Sequence, residues 1–417
     1  MSSLVEVIVP ARMGRRFRWL LASSWTSNIG DGIAVAAGPL LVASQTDSAF
    51  LVALAALVQK LPWLAFGLWA GALADRLDRR KVVMVADTLR SLVIAALCVT
   101  IFTGRTNITV VLIAMLLYGV AEVFADTTTS TLLPMLVAKA DLGTGNQRLQ
   151  AGFLTCNQLL GPPVGAFLFA AGAAWPFVVQ VVCVLLAVLL VSKIAASGGE
   201  TELMTGAEAS GEPTHVLRDI GEGLRWIWGH AAVRTLALVI LVFNVTWAAA
   251  WSVLVLWSRD RLGMSEVGFG LLTTGSAVGG IIGTALYGRI ELRFSLANIM
   301  RVCLLLEVLT HAAFALTTAG WLAIAIMVEF GAYAFVWGTV SNTVRQRAVP
   351  RRFQGRVSAV YMMCVFGGII AGQAIGGGIA EKWGVVAPFW FAFAGAGITL
   401  ALVWRQLASI AHAESDD

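Results

Sequence analysis

Three carboxylates stand inside apolar runs, where a charge is costly and asks for a function: Asp31, Glu122 and Glu329. Around Asp31, at helical spacing, lie Ser24, Ser27 and Asn28, a polar stripe suited to a water-filled cavity. An acid so placed can exchange a proton under physiological conditions. The competing reading is a permanent pair with Lys60, at similar depth in the next apolar run. Glu122 and Asp126 lie one helical turn apart. Glu122, nearer the middle of its run, is a candidate for binding substrate or a proton, and Asp126, nearer the end, for pairing with Arg79 or Arg80. Glu329, Tyr333 and Trp337 recur every four residues and put an acid and two aromatic rings on one helix face. That face suits a lipophilic cation through charge and cation–π attraction. The alternative is plain helix packing, with Glu329 near the outer interface. Glu307 and His311 also share a face and are read as structural, and Asn157 is a further polar candidate.

The elements that must hold these groups are membrane spans. Of 417 residues, 58% are hydrophobic and 13% charged, and a soluble chain of this size would need far more polar surface. The mean hydropathy is +0.82. About twelve apolar runs, each near the ~20 residues that cross a bilayer core, cover 18–44, 49–74, 82–103, 108–136, 150–173, 175–195, 233–257, 267–287, 297–318, 321–343, 357–380 and 386–407. Loops on one side carry only Arg105, Arg259, Arg261 and Lys382, while the other side holds Arg345, Arg347, Arg351, Arg352, Arg356 and almost all remaining Lys and Arg. This asymmetry puts both termini in the cytoplasm. Arg12, Arg15, Arg16 and Arg18 precede an apolar run too long for a signal-peptide core.

Composition changes between the sixth and seventh runs. Residues 198–212 are rich in Gly, Ser and Thr with interspersed Glu, and read as a flexible linker. After Pro213, the apolar residues Val216, Leu217, Ile220, Leu224, Ile227 and Trp228 recur at helical spacing opposite Arg218, Asp219, Glu222 and Arg225. This pattern predicts an amphipathic helix on the cytoplasmic surface. The chain thus divides into an N-terminal bundle (1–197), a linker with amphipathic helix (198–232) and a C-terminal bundle (233–417). At one offset of 212 residues, Gly71 falls on Gly283, Gly143 on Gly355, Gly165 on Gly377, Lys81 on Arg293 and Pro176-Phe177 on Pro388-Phe389, an echo that supports a six-plus-six duplication.

Other classes fit poorly. None of the five lysines sits in a G-x-x-x-x-G-K-[ST] loop, which argues against an ATP-driven pump. His215, His230, His311 and His412 are scattered without metal-ligand spacing, so neither an enzyme nor a metal site is expected. The five cysteines all lie in apolar runs and read as small hydrophobes. The net charge of +5 comes from loop clusters and gives no nucleic-acid signal.

Between the second and third runs stands Gly71-x-Leu73-Ala74-Asp75-Arg76-x-x-Arg79-Arg80-Lys81. It resembles the loop between helices 2 and 3 of the major facilitator superfamily. Gly161-Pro162-Pro163-Val164-Gly165 resembles the helix-5 motif of proton-coupled drug exporters, where prolines and glycines kink the helix and let backbones approach. Ser27-Asn28-Ile29-Gly30-Asp31, Leu61-Pro62-Trp63, Asp87, Arg90 and Gly355-Arg356-Val357 are similar to the bacterial branch of macrolide-efflux proteins and enterobactin-type exporters.

The resemblance covers essentially the whole chain. It implies an all-α membrane protein of twelve transmembrane helices in two pseudo-symmetric six-helix bundles, with substrate bound between the halves near the midplane. It further implies a monomer of the bacterial cytoplasmic membrane that needs no cofactor beyond the proton gradient. Within the loop motif, Asp75 is implied to cap the start of helix 11, where Arg356 lies, in the outward-open state, and Arg79 to pair with an acid on helix 4, for which Asp126 is the candidate. Two departures stand out. Asp78 replaces the loop's usual glycine, and no arginine occurs between Arg105 and Arg148, where drug antiporters often carry one on helix 4. Any proton coupling therefore falls to Asp31, Glu122 and Glu329. The leading expectation is export of hydrophobic or cationic small molecules in exchange for protons. Export of a siderophore or other endogenous metabolite comes second, ahead of nutrient import and of a membrane sensor or assembly protein that does not transport.

Overall fold

The computed structural model describes residues 13–196, 216–350 and 353–407, without the side chains of 68, 72, 74–76, 195–196 and 216–219. The flexible linker expected over 198–212, together with Arg12, Arg351, Arg352, His215 and His412, lies outside the described residues. So do the side chains of Asp75 and Arg76.

Every extended apolar run forms a helix. In chain order these are α1 (Gly14–Gln45), α2 (Ala49–Arg76), α3 (Arg79–Phe102), α4 (Ile108–Leu136), α5 (Lys139–Ala171) and α6 (Trp175–Ala196). After the linker come α7 (Val216–Gly229), α8 (Ala231–Asp260), α9 (Glu266–Arg293), α10 (Leu296–Leu316), α11 (Gly320–Ala348), α12 (Gln354–Trp383) and α13 (Ala387–Val403). Side-chain oxygens start several of them. Asn107 accepts from the Val110 amide, Ser265 from Gly268 and Ser295 from Asn298, each satisfying an orphan helix donor.

Ten of these helices are long and apolar enough to cross a bilayer, against the twelve runs expected. The two that fall short are the first and the last. In α1, the polar stripe of Ser24, Ser27, Asn28 and Asp31 dilutes a helix of ample length, and α13 has only 17 residues. Large apolar side chains such as Trp69, Leu92, Phe167 and Leu402 point outward, as on a surface that lipid covers.

The chain forms two compact units: Met1–Gln45 with Leu61–Gly211, and Thr46–Lys60 with Glu212–Asp417. The first half of α2 therefore groups with the second unit, a division the sequence boundaries did not contain. In the first unit α1 packs on α5 and α6, and α3 on α4 and α6. In the second, α8 packs on α12 and α13, and α10 on α11 and α13. The four pairings repeat with a shift of six spans. The residues matched by the 212-residue offset land accordingly, Gly165 on α5 and Gly377 on α12, Gly71 on α2 and Gly283 on α9.

The amphipathic helix forms where its spacing predicts it, as α7. Ile227 is buried with Val233, Ala348, Val349, Val357 and Val360, and Trp226 stacks on Phe353. One turn before Trp226, Glu222 pairs with Arg356 of α12 at 3.1 Å.

Candidate functional site

The most closely knit group of charges in the first unit is built from α1, α3, α4 and α6. Asp31 projects from α1 and is 18% exposed, while Arg90 on α3 is 1% exposed. One guanidinium nitrogen of Arg90 lies 3.4 Å from Asp31 Oδ1. The other donates to Ser27 Oγ at 2.9 Å and pairs with Asp87 Oδ1 at 3.0 Å. Ser27 in turn donates to Asp31 Oδ2 at 3.1 Å, and the Tyr118 hydroxyl of α4 donates to Asp31 Oδ1 at 3.0 Å. Gln180 of α6 donates to that same hydroxyl at 3.3 Å. Hydrogen bonds thus hold both carboxylate oxygens of Asp31, and Arg90 is wedged between two acids with its guanidinium 5.6 Å from the Tyr118 ring centre.

Arg90 is therefore a cation beside Asp31, and Lys60 is half-buried on the part of α2 that groups with the second unit. Asn28 is satisfied within its own helix, donating to the Ser24 carbonyl at 2.7 Å. Glu122 is half-buried on α4, and Asp126, one turn on, is exposed. The charges of both act on Tyr118, and Asp126 is also within electrostatic reach of Arg90. Asp31, Asp87 and Arg90 thus form one ion-paired group with Glu122 and Asp126 further along α4, an arrangement able to take up and release protons.

The helix-5 motif explains how α1 is held in place. Pro162 and Pro163 have no amide hydrogen to donate, and the turn before them, Phe153–Leu160, winds more widely as a π-helix. Its last bond runs from the Gly161 amide to the Cys156 carbonyl, five residues back. A Cβ at Gly161 would collide with the backbone of Gly32, and one at Gly165 with that of Ile33. These glycines let α5 lie directly against α1 on the residues that follow Asp31. Asn157, on the widened turn, is buried and accepts from Gln158 at 2.6 Å.

In the basic loop, Asp78 accepts from the amides of Arg80 and Lys81 and so caps α3, which gives the departure from glycine a structural purpose. Arg79 reaches the Thr131 carbonyl at 3.4 Å and Met135 Sδ at 3.2 Å. Arg80 donates to the carbonyls of Val191 and Ser192 at the C-terminal end of α6, where a cation is favoured. The loop arginines thus tie down the ends of α4 and α6. Arg356 pairs with Glu222 of α7, an interaction the loop motif did not suggest.

In the second unit the spacing of Glu329, Tyr333 and Trp337 predicts one open acid-and-aromatic face, and here the structure differs. Tyr333 is buried and turns toward α10, because its hydroxyl needs a polar partner inside the core. That partner is Glu307 Oε2, at 2.7 Å. Trp337 packs half-buried on the same core, while Glu329 is exposed and accepts from Thr310 at 3.2 Å.

Asp87 and Arg90, singled out in the sequence only for their resemblance to an exporter branch, form an i,i+3 ion pair beside Asp31, and Glu307 and His311, read as structural residues on one face, form a buried i,i+4 pair. In both cases two ionisable groups share one face of an apolar helix.

Residues 8–417 match the family described as "Transmembrane secretion effector". The chain is 28% identical over 385 residues to the multidrug efflux pump Tap of Mycolicibacterium fortuitum, covering 89% of this chain and 90% of that protein. It is 24% identical over 387 residues to the enterobactin exporter EntS of Shigella boydii, covering 89% and 86%. Among solved structures, a bacterial homologue of the iron transporter ferroportin in its inward-facing state superposes with a TM-score of 0.74 at 18% identity, covering 95% of this chain and 99% of that one. A D-xylose–proton symporter superposes with a TM-score of 0.71 at 17% identity, covering 96% and 99%.

Proposed function

Because the chain belongs to the transmembrane secretion effector family, multi-pass membrane transporters and not enzymes, we propose that it exports hydrophobic or cationic small molecules by alternating access while protons move inward. The observation that carries this reading is the Asp31–Arg90–Asp87 cluster with Tyr118 and the neighbouring Glu122 and Asp126. Asp87 and Arg90 are buried there with Asp31 beside them, and ionisable groups held inside apolar helices are costly enough to serve a purpose. The likeness to a multidrug efflux pump supports the substrate class.

In this reading α1–α6 and α8–α13 are two six-helix bundles that give twelve spans, with α1 and α13 crossing despite their polarity and length. The repeated packing order supports that division. Both termini face the cytoplasm, in keeping with the basic loops. The protein works as a monomer in the bacterial cytoplasmic membrane, with the proton gradient in place of a cofactor and without nucleic acid. Asp31 is the principal proton carrier, Glu122 and Asp126 extend the acidic surface, and Glu329 supplies an exposed acid in the second unit.

Export of a siderophore or another endogenous metabolite is the second reading, favoured by the likeness to an enterobactin exporter. Cells expressing the protein should retain less of a lipophilic cationic dye, and an uncoupler should abolish the difference. Unchanged dye levels, with secretion of an endogenous metabolite that depends on the protein, would replace the first reading by the second.

A further inference from the structure

Five polar side chains join α10 and α11 into one chain. Glu329 Oε2 lies 3.2 Å from Thr310 Oγ1, which lies 3.2 Å from the Tyr333 hydroxyl. That hydroxyl lies 2.7 Å from Glu307 Oε2, and Glu307 Oε1 lies 3.1 Å from His311 Nε2. Glu329 is exposed at one end, and His311 is 0% exposed at the other. The other ring nitrogen of His311, Nδ1, is buried and has no hydrogen-bond partner among the described residues.

The surroundings are apolar. The edge of the Trp251 ring faces His311 from α8 at 6.0 Å. α13 contains no titratable residue. On α9 the charges sit toward the ends, Glu266 at one and Arg289, Glu291 and Arg293 at the other. α8 carries Arg234 near its start and Arg259 and Asp260 at its end. Among the described residues, the ionisable groups joined to the pair from α11 are therefore Tyr333, directly, and Glu329, through Thr310.

We propose that Glu307 and His311 form a buried proton store filled from Glu329 through the hydroxyls of Thr310 and Tyr333. When Glu329 takes up a proton, its carboxyl donates to Thr310 Oγ1. The Thr310 hydroxyl proton passes to the Tyr333 oxygen, and the Tyr333 proton passes to Glu307 Oε2. Glu329 and Glu307 exchange one protonation, and both hydroxyls end as they began. Glu307 then shares the proton with His311 Nε2. Each hop spans a hydrogen-bond distance, the geometry proton transfer needs. Filled, the glutamate–histidine pair is neutral overall whether the proton sits on oxygen or nitrogen; emptied, it leaves one negative charge on Glu307, which the Tyr333 hydroxyl stabilises at 2.7 Å. The store rests on the proton-coupled reading, to which it adds a holding site in the second unit, while flux across the membrane still requires Asp31.

Infrared difference spectra of the full-length protein in lipid, recorded after light-triggered release of a caged proton, test the route without any transported substrate. A carboxylic-acid band should appear on acidification and be lost in Glu307→Gln. Tyr333→Phe and Thr310→Val should each keep that band but slow its rise at least about tenfold, and Thr310→Ser should restore the rate. His311→Asn should shift the band's frequency. A wild-type protein with no Glu307 band would overturn the store. So would Tyr333→Phe and Thr310→Val variants that both rise at the wild-type rate. Dye efflux that ignores an uncoupler, with band and kinetics intact, would instead sink the proton-coupled reading and leave the store standing.

Discussion

Replacing Arg90 with methionine should be the most damaging single change in the first unit. The methionine fills much of the volume but leaves Asp31 and Asp87 facing each other around a site that is 1% exposed. Removing one member of a buried ion pair costs about 3–5 kcal/mol, because the remaining charge stays buried and unpaired. Here two acids lose the same partner, so the upper part of that range applies. Asp31→Asn should cost less, about 1–2 kcal/mol: Arg90 keeps Asp87 at 3.0 Å, and the amide oxygen can still accept from Tyr118, while Ser27, which donated to the other carboxylate oxygen, loses its acceptor to an NH2 group. The triple variant Arg90→Met, Asp31→Asn, Asp87→Asn should recover more than half the loss, since it removes the unpaired charges together with the cation. Denaturation of the purified protein, followed by tryptophan fluorescence, would rank the three. An Arg90→Met protein that melts with the wild type, or a triple variant no better than the single, would refute the reasoning.

Gly165→Val should cost at least about 2 kcal/mol and abolish efflux, because its side chain would strike the Ile33 backbone; the same change at Gly143, with open space around it, should be tolerated. Protein yield and gel-filtration profile would check both. Asp78→Ala should lower stability by about 1 kcal/mol through loss of the α3 cap, and Asp78→Ser should restore most of it, as thermal melts would report. Asp75→Asn should impair dye efflux at an unchanged protein level in the membrane; normal efflux would remove Asp75 from the transport cycle.

Much of the fold was legible because apolar runs, turn residues and basic loops are local signals. The helix after Pro213 was readable from the spacing of Ile220, Leu224 and Ile227, although Ile227 is buried, Ile220 only partly so, and Leu224 stays exposed. The kink and close approach at Gly161-Pro162-Pro163 were readable too, since a missing amide and a missing Cβ act wherever they occur. Charge partners were harder. Asp31 stood out because a carboxylate in an apolar run is rare, but its cation lies 59 residues away on α3, and nothing local distinguishes Arg90 from Lys60. Tyr333 shows the limit of helical spacing. Recurrence every four residues correctly puts Glu329 and Tyr333 on one face, but a helix touching α10 along that face can bury one residue and expose the other. Asp78 looked like a departure from a motif until its cap on α3 was seen.

The most direct measurement of the central claim is proton movement in proteoliposomes holding the purified protein and a lumenal pH dye. With an imposed proton gradient, adding a lipophilic cation on the side that faces the cytoplasm should drive protons across in the opposite direction, and Asp31→Asn should abolish that flux while the protein stays folded. Transport of the cation with no change in lumenal pH, or a proton flux untouched by Asp31→Asn, would contradict the account.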